Sequence, residues 1–549
     1  MTNSIAELEE TDCIFVIGSN PTEAHPIIGG RMLRAQQKGA KLIVVDPRKT
    51  QIAEYADLHL RPYLGGDIAL LNGMMRVILE EGWHDPEFIR ERTEGLEALK
   101  EKVSEYPLER VEELCGIRPQ DIRTAAELYA RAGKSTICYT LGITEHTCGT
   151  NSVLSLANLA MLTGHVGRRG TGVNPLRGQN NVQGACDMGA LPNVFSAYQA
   201  VTSDSSREKF EKAWGAVVPP EPGLTELEMF DAAYEGRVRG MYIFGENPLL
   251  ADPNVNHVRK ALGKLDFLVV QDIFLTEVGE VANVVLPGAS FAETEGTFTN
   301  TERRVQRVRK AIEPVGEAKP NWKIFSLLAE KLGSTAFRYD TPEAIFREIA
   351  SLTPSYAGMS YQRLDSAESL QWPCPAQDHP GTKFLHQDRF AKGVGTFTPI
   401  DHTPPAELPD EEYPLQLITG RDIFHYNTGS MTRNCPKLMN ELWENYVEIN
   451  PVDAEELGVR NGELVRASSP RGSILVRAKL SERVYAGTVF MAFHFPDSVT
   501  NVLTSDAADP ITKTPEYDVC SLRIEKMPQK PEAGERAEDT ARTDAAPSH

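Results

Sequence analysis

The feature that most constrains the fold of this chain is a strand–helix–strand pattern that occurs twice. In the first copy, short apolar runs at residues 13–17 and 42–45 flank a helical segment at residues 26–38, which Gly39 closes. Continuous apolar runs rich in β-branched residues are typical of parallel strands that are covered on both faces. The pattern therefore predicts a βαβ unit with a right-handed crossover.

The second copy spans residues 241–272. In each copy the first run leads into Gly-x-Asn-Pro, beginning at Gly18 or Gly245, and the second run ends at Asp46 or Asp272. Polar groups at the ends of parallel strands mark the place where open α/β sheets bind ligands. The repeat thus predicts two related dinucleotide-binding domains that face each other. Chance similarity between unrelated βαβ units is the alternative, and the missing G-x-G-x-x-G fingerprint argues against ordinary NAD binding.

Residues 171–192 are the part of the chain that folding requirements explain least. They have neither a helical nor a strand period, yet they lie between apolar segments that are predicted to be buried. Four side-chain amides at residues 179–183 follow Arg177. Because a buried amide without a partner costs about 1–3 kcal/mol, this composition indicates a large polar ligand. A solvated loop is the alternative.

The composition excludes several classes of protein. A formal net charge of −20 over 549 residues argues against nucleic-acid binding, which requires a basic face. No run approaches the roughly 18 apolar residues that a membrane span needs, and the first residues are acidic, so we expect a cytoplasmic protein. No two of the eight cysteines stand at C-x-x-C spacing, so this chain itself is not predicted to hold an iron–sulfur cluster or zinc.

Residues 174–192, with Arg177, Gln179 and Asp187, resemble the active-site segment of molybdenum- or tungsten-dependent formate dehydrogenase catalytic (alpha) subunits, in the molybdopterin oxidoreductase superfamily. The resemblance extends from Met1 to about Met527. It implies two-electron oxidation of formate to CO2, or the reverse, at a Mo or W centre that two molybdopterin guanine dinucleotides hold. Arg177 is then the catalytic residue that holds formate, Gln179 contacts a pterin, and no metal ligand is assigned to this chain.

The same resemblance assigns cofactor contacts, which fall at the strand ends of both repeats and in the last domain. One dinucleotide is assigned to Gly18, Asn20, Asp46, Arg48, Gly65 and Asp67, with Gly142, Thr144 and Glu145 near it, and the other to Gly245, Asn247, Gln271 and Asp272. Contacts from the last domain are assigned to Arg421, His425, Asn427, Asn501 and Tyr517. Relatives usually have Gln at the position of Glu145 and Lys at that of Asp518, which places these two contacts in question.

The predicted fold class is α/β, with two pseudo-symmetric dinucleotide-binding-type domains, a mixed segment and a C-terminal β-barrel. The barrel prediction rests on short strand signals at regular spacing after residue 414. The predicted domains are residues 1–179, residues 180–292, a mixed segment at 293–411 that would belong to the iron–sulfur domain, the barrel at 412–527 and a disordered tail at 528–549.

The resemblance also concerns groups that have no counterpart in this sequence. Relatives begin with a 4Fe-4S domain of four cysteines, followed by a Cys or selenocysteine metal ligand. We expect the chain to be the portion downstream of that ligand, and we hypothesise that a UGA codon for selenocysteine was read as a stop. The isolated chain is then expected to bind cofactor weakly and to be inactive. Expected partners are iron–sulfur electron-transfer subunits or an NAD- or ferredoxin-linked protein.

Two alternatives remain open at the level of sequence. The first is another molybdopterin oxidoreductase, such as a nitrate, polysulfide or arsenate reductase. The second is a non-catalytic scaffold subunit with the pterin-binding fold. The presence of Arg177 among amides argues against a scaffold, because a buried cation is costly to keep without a function.

Overall fold

In the computed structural model, which describes residues 1–366 and 370–527, the first predicted repeat forms one edge of a five-stranded parallel sheet. The strand order is β3-β2-β1-β5-β6. The strands of this region are β1 (Cys13–Ile17), β2 (Lys41–Val45), β3 (Leu58–Leu60), the short β4 (Thr93–Glu94), β5 (Ser135–Tyr139) and β6 (Gly172–Pro175). The helices are α1 (Pro21–Ala24), α2 (Pro26–Gln37), α3 (Asp67–Glu80), α4 (Pro86–Arg92), α5 (Leu96–Ser104), α6 (Leu108–Cys115), α7 (Pro119–Ala130), α8 (Leu141–Thr144) and α9 (Gly149–Leu162).

Helices cover both faces of this sheet, as its apolar strands require. All five residues of β1 are buried, and they alternate between two cores. Phe15 packs in the cluster that contains α3 and α7, whereas Val16 packs in the cluster that contains α2. Helix α2 starts at Pro26, where a missing N–H costs nothing, and ends before Gly39, whose φ of 107° suits glycine.

The second repeat forms a three-stranded parallel sheet of order β11-β10-β9. This is the order of β3-β2-β1, so the sequence repeat is also a structural one. Gly18 and Gly245 both have positive φ, 53° and 63°, where the chain turns into a short helix. The elements from here to the end of the repeat are α10 (Val182–Asp187), β7 (Val194–Phe195), β8 (Gln199–Ala200), α11 (Asp204–Trp214), α12 (Glu226–Tyr234), β9 (Gly240–Phe244), α13 (Pro248–Ala251), α14 (Val255–Leu262), β10 (Phe267–Asp272) and β11 (Val284–Pro287).

The two sheets differ in how completely they are covered. Helices α12 and α14 cover one face of the second sheet, around Leu268 and Val270. On the other face Phe244 contacts Phe325 edge to face, with ring centroids 5.1 Å apart, yet Phe244 and Phe267 remain 48% and 51% exposed. Within the described residues no strand pairs with the free edge of β9, at the place where β5 pairs with β1.

The middle of the chain is mixed in structure, as predicted. It contains β12 (Gly296–Thr299), β13 (Arg304–Val308), α15 (Asn321–Lys331), α16 (Pro342–Leu352), α17 (Tyr361–Ser366), β14 (Leu370–Gln371) and β15 (Gly395–Thr396). The arginines in and beside β13 lie only partly at the surface. Arg307 and Arg309 pair with Asp365 at the surface, whereas Arg303 is buried and donates to the carbonyl oxygens of Met1 and Thr382 among others.

The last region closes into a six-stranded barrel of order β16-β20-β17-β19-β18-β21. Its elements are β16 (Leu415–Gly420), α18 (Pro436–Glu441), β17 (Tyr446–Ile449), α19 (Pro451–Glu456), β18 (Leu464–Ser469), β19 (Gly472–Leu480), β20 (Thr488–Ala492) and β21 (Cys520–Lys526). The predicted class, parallel α/β sheets with a C-terminal barrel, is confirmed. Strand β17 was not predicted. No helix in the described part is long and apolar enough to cross a membrane, and the predicted tail at 528–549 lies outside the described residues.

Candidate functional site

A cleft with about 1090 Å³ of empty space, part of it open to solvent, lies between the carboxyl edge of the first sheet and the barrel. Residues predicted as cofactor contacts line it from both sides, namely Gly18, Asn20, Asp46, Arg48, Gly65, Asp67, Gly142, Glu145 and Arg421. Thr144, the last residue of α8, and Gln179 do not line it, although their neighbours Glu145 and Gly178 do. The strand ends of one domain and the mouth of the barrel therefore meet around one ligand-sized space.

Two glycines allow the floor of this cleft to be built from backbone. A Cβ added to Gly18 would lie 2.6 Å from the carbonyl carbon of Gly142, and one added to Gly142 would lie 2.8 Å from the Cα of Gly18. The turn after β1 and the turn after β5 thus touch with no room for side chains. Thr140 Oγ1 donates to the carbonyl oxygen of Gly18 over 2.7 Å and fixes the two turns together. Close backbone approach of this kind is one of the main reasons for glycine at a ligand site.

The cleft is rich in half-buried carboxyl groups. Burial raises the pKa of Asp46 to about 7, and nearby Asp518 and Asp67 add to the shift. Burial likewise raises the pKa of Glu145 to about 8 and that of Asp518 to about 6. Burial alone lowers the pKa of His146, but the carboxylates of Glu516, Asp67 and Asp518 reverse the shift and raise it to about 9. These groups give the cleft both acceptors and donors near neutral pH.

Arg48 is already paired within the protein. Its Nε and Nη2 donate to the two carboxylate oxygens of Glu448 over 2.9 and 3.1 Å, and its guanidinium stacks on Phe490, 3.7 Å from the ring centroid. Both charged side chains are nearly inaccessible to solvent. Arg48 therefore lines the cleft while it also joins the first sheet to the barrel.

Several buried polar atoms of the cleft have no hydrogen-bond partner among the described residues. They are Ser19 Oγ, His25 Nδ1, Thr50 Oγ1 and Arg421 Nε. Each unpaired buried group costs about 1–3 kcal/mol, so four of them in one cleft indicate a ligand that supplies the partners. Hydroxyl and guanidinium donors suit a diphosphate, and carboxylates suit the N–H groups of guanine. The residues present fit a pterin guanine dinucleotide.

The cleft also contains residues that sequence reasoning missed. Ser19 is the variable residue of the first Gly-x-Asn-Pro element, and His25 directly precedes the helix-starting Pro26, so position in the turn was the available signal for both. Thr50 lies in the loop after β2, where no local pattern distinguishes it. Asp518 stands inside the cleft, where its carboxylate accepts from Thr419 Oγ1 over 3.1 Å.

The strand ends of the second sheet form a smaller polar group. Asn247 Nδ2 donates to Glu277 over 2.6 Å, while Asn247 Oδ1 and Asp252 Oδ2 are buried with no partner in the described part of the chain. Asn501 Nδ2 donates to the carbonyl oxygens of Leu250 and Ala251 and so ties this region to the barrel. The second repeat therefore also presents unpaired polar groups where its strands end.

Other predicted contacts of this half have partners within the protein. Gln271 Nε2 donates to Asn321 over 2.8 Å, and burial raises the pKa of Asp272 next to Gly245 at the same edge. Desolvation of the half-buried Tyr517, together with Asp252 and other carboxylates, raises its pKa well above the ordinary value. Within the barrel, both ring nitrogens of His425 are bonded, to Thr432 and to the Leu442 carbonyl, and the Asn427 carbonyl is bonded by His494.

The amide-rich segment is more ordered than its sequence indicates. Residues 171–192 show no helical or strand period in sequence, yet the segment contains β6 and α10. Strand β6 forms because it pairs with β5, although its own sequence shows no strand period. Arg177 lies between β6 and α10. It donates its backbone N–H to Thr301 Oγ1 over 3.0 Å, and its carbonyl oxygen lies 2.8 Å from His25 Nε2. The Arg177 guanidinium reaches Cys186 Sγ, 3.7 Å away, and Leu176 and Gly178 line the cleft.

Two family models match this chain. Residues 1–331 match the model of the molybdopterin oxidoreductases, and residues 415–521, which include most of the barrel, match that of the molydopterin dinucleotide binding domain. The chain belongs to the molybdopterin oxidoreductase family. The barrel wall of the cleft, with Arg421, Phe490 and Asp518, falls inside the dinucleotide-binding match.

Curated molybdopterin oxidoreductases resemble this chain along almost its whole length. The F420-dependent formate dehydrogenase 1 subunit alpha of Methanococcus maripaludis is 50% identical over 96% of this chain and 78% of its own length. Formate dehydrogenase H of Escherichia coli is 41% identical over 96% of this chain and 74% of its own length. Among solved structures, acetylene hydratase from Pelobacter acetylenicus superposes with a TM-score of 0.74 at 22% identity, covering 95% of this chain and 81% of the other, and shows the same fold.

Proposed function

We propose that this chain is the catalytic subunit of a formate dehydrogenase, which oxidises formate to CO2, or catalyses the reverse reaction, at a Mo or W centre held by two molybdopterin guanine dinucleotides. The observation that carries the proposal is the position of Arg177, which adjoins the dinucleotide cleft through Leu176 and Gly178. The formate dehydrogenase names of relatives at 50% and 41% identity support the choice of substrate. When bound, the metal–pterin group supplies the two-electron redox chemistry.

The role of Arg177 follows from the chemistry of formate. Formate is a small anion, so charge and directed hydrogen bonds must fix its orientation because it offers little contact area. A guanidinium is charged at any working pH and can grip two oxygens in one plane. Thr301 and His25 hold the backbone of Arg177. Its side chain has Cys186 as a neutral neighbour, so no carboxylate of the described chain pairs with its charge.

The cofactor contacts divide between the two repeats. We assign the cleft residues around Asp46, Glu145 and Arg421 to one dinucleotide and the residues around Asn247 and Asp272 to the other. A carboxylate at a strand end can accept from ribose hydroxyls or from the guanine N–H groups. Gln179 follows Arg177 by two residues and is half-buried, which suits a contact to the pterin.

The two electrons from formate must leave the site one at a time. We propose that they pass through a 4Fe-4S cluster and then to iron–sulfur partner subunits of the assembled enzyme. The dehydrogenase of Methanococcus maripaludis is named F420-dependent, which makes an F420-linked partner a further candidate beside an NAD- or ferredoxin-linked protein. The proposal also includes a Mo or W ion with a Cys or selenocysteine ligand.

The test is made on the native protein, purified anaerobically with its partner subunits. Metal content, extracted pterin guanine dinucleotide and formate-dependent reduction of a viologen dye are measured on one preparation. The proposal expects Mo or W with two dinucleotides and dye reduction by formate. Reduction of nitrate, polysulfide or arsenate by reduced dye, without formate oxidation, would instead indicate the other reductases of the family. A preparation with pterin but neither activity would indicate a scaffold.

A further inference from the structure

Asp187, the last residue of α10, is a buried carboxylate that collects hydrogen bonds from distant parts of the chain. It is 1% exposed. It accepts from Gln183 Nε2 at 2.8 Å and Tyr198 Oη at 2.9 Å on one oxygen, and from Tyr356 Oη at 2.7 Å and Trp372 Nε1 at 2.6 Å on the other. The donors come from α10, from the turn between β7 and β8, from the turn after α16 and from the residue after β14. One carboxylate thus joins four segments.

This arrangement is costly for a group that only fills space. Within residues 1–366 and 370–527 no Lys, Arg or His forms an ion pair with Asp187. An isolated buried charge is expensive, and well-packed apolar residues often replace buried ionic groups without loss of stability. Tyr198 is also held in a left-handed backbone conformation, with φ of 59° after Ala197 at 52°, which is uncommon outside glycine and asparagine. Such costs are expected where geometry at a functional site matters.

The substrate arginine lies next to this network. Cys186, which precedes Asp187 in α10, is 3.7 Å from the Arg177 guanidinium through its Sγ. The charges of Asp187 and Arg177 both act on the Tyr198 hydroxyl: after burial, Asp187 raises the pKa of Tyr198, and Arg177 opposes it. Burial and Asp187 also raise the pKa of Tyr356 well above its ordinary value. Both phenols therefore stay protonated and keep donating to Asp187 at any working pH.

We propose that Asp187 is a positioning residue for Arg177: its four hydrogen bonds fix α10, and α10 holds Cys186 against the guanidinium that grips formate. The inference rests on the proposed function and adds a residue to it. An isosteric change at Asp187 disturbs the network, because an Asn side chain offers one acceptor oxygen and turns an N–H₂ group toward donors. The guanidinium then keeps its charge but loses its fixed direction.

The experiment compares four holoenzymes: unmodified, Asp187→Asn, Arg177→Ala and the double variant. We expect Asp187→Asn to lower kcat/KM for formate at least about 10-fold, mainly through KM, because misplacement of a binding group by about 1 Å is enough for such a loss. In the Arg177→Ala background the same change should cost less than about 2-fold, because a residue that acts through Arg177 has no separate effect. Equal losses in the two backgrounds would show a general structural role and overturn the inference.

A second readout does not depend on turnover. Amide hydrogen exchange across residues 177–187 should quicken at least about 10-fold in Asp187→Asn and stay unchanged in Asp365→Asn, an exposed carboxylate paired with Arg307 and Arg309 that serves as matched control. Unchanged exchange at 177–187 would overturn the inference. If Asp187→Asn does not accumulate, Tyr198→Phe removes one of the four bonds and should lower kcat/KM about 3-fold, again only while Arg177 is present. An unmodified holoenzyme that does not oxidise formate would refute the proposed function itself, and the inference with it.

Discussion

At the scale of single residues, the carboxyl ends of the strands in both repeats carry the glycine and polar positions at which we propose ligand contacts. The ends of both repeats, at Gly18, Asp46 and Gly245, were placed correctly because a strand end that leads into glycine or aspartate is a local signal. Residues without such a signal, such as Thr50, reach the cleft through tertiary packing and could not be found from spacing. The hydrogen-bond network of Asp187 could not be predicted from the sequence either, because Trp372 lies 185 residues away from it in the chain.

The raised pKa values of the cleft make the stability of the cofactor-free protein depend on pH. Asp46, Glu145 and Asp518 have folded-state pKa values of about 7, 8 and 6, above their ordinary values because they are buried. A raised pKa means that the folded state binds more protons, so this stability is complete below about pH 4 and is lost as pH rises through 6 to 8. Carboxylates with lowered pKa, such as Glu9, act only below that window. Buried histidines with lowered pKa, such as His165 and His494, oppose the trend up to about pH 6.5, and the buried amino group of Met1 opposes it up to about pH 8.

We therefore predict that the urea midpoint of cofactor-free protein is lower at about pH 8.5 than at about pH 6.5, above the range of the buried histidines, and that Asp46→Asn reduces this difference. The control is Asp365→Asn, which leaves the cleft unchanged. A midpoint that rises over this interval, or an unchanged pH dependence in Asp46→Asn, would mean that the cleft carboxyls are ionised and solvated in the folded protein.

At the scale of elements, strand and helix positions follow from the sequence wherever an element carries its own apolar pattern. Strand β1 was predicted at its observed bounds, and α2 within one residue. Strand β17 was missed because its buried Glu448 breaks the apolar run, and the structure explains that residue by its pair with Arg48. Elements β6 and α10 were missed because β6 is held by pairing with β5 and α10 by the bonds of Asp187.

The Arg48–Glu448 pair should be worth much more than an exposed ion pair. Glu448→Gln removes the counter-charge that is hydrogen-bonded to the buried Arg48 guanidinium and leaves only Glu23, 3.9 Å away. Breaking a buried pair typically destabilises a protein by about 3–5 kcal/mol. We predict a clear fall in the thermal unfolding midpoint of this variant. Glu80→Gln, in the exposed Arg76–Glu80 pair of α3, is the matched control and should change stability by less than about 0.5 kcal/mol. Similar midpoints for the two variants would show that Arg48 finds another partner or solvent.

At the scale of the whole molecule, the cofactor cleft belongs to two regions that lie far apart in sequence. Its walls come from the first sheet and from the barrel, and residues 407–414, which lead into the barrel, are mostly exposed. The sequence predicted both regions and, by resemblance, their shared ligand. It could not give their contact surface, because ion pairs such as Arg48–Glu448 join residues 400 positions apart.

A ligand that fills this cleft should hold the two regions together. We predict that protease cleavage within residues 407–414 is at least about 10-fold slower in the cofactor-loaded protein than in the cofactor-free protein, because only the former must release ligand before the barrel can separate. Cleavage within residues 216–223, an exposed segment between α11 and α12 that does not line the cleft, is the internal control. Equal protection of both segments by the cofactor would place its main effect elsewhere.

The central claim is that this molybdopterin oxidoreductase aligns formate with Arg177, and the most direct measurement is kcat/KM for formate in the holoenzyme with Arg177→Lys and Arg177→Ala, with metal and pterin quantified in each preparation. If Arg177 aligns formate, kcat/KM should fall at least about 100-fold in Arg177→Ala, with cofactor content unchanged. Arg177→Lys should also lose activity, because an ammonium keeps the charge without the planar grip. Near-normal formate turnover in Arg177→Ala, or loss of cofactor in place of activity, would contradict the central claim.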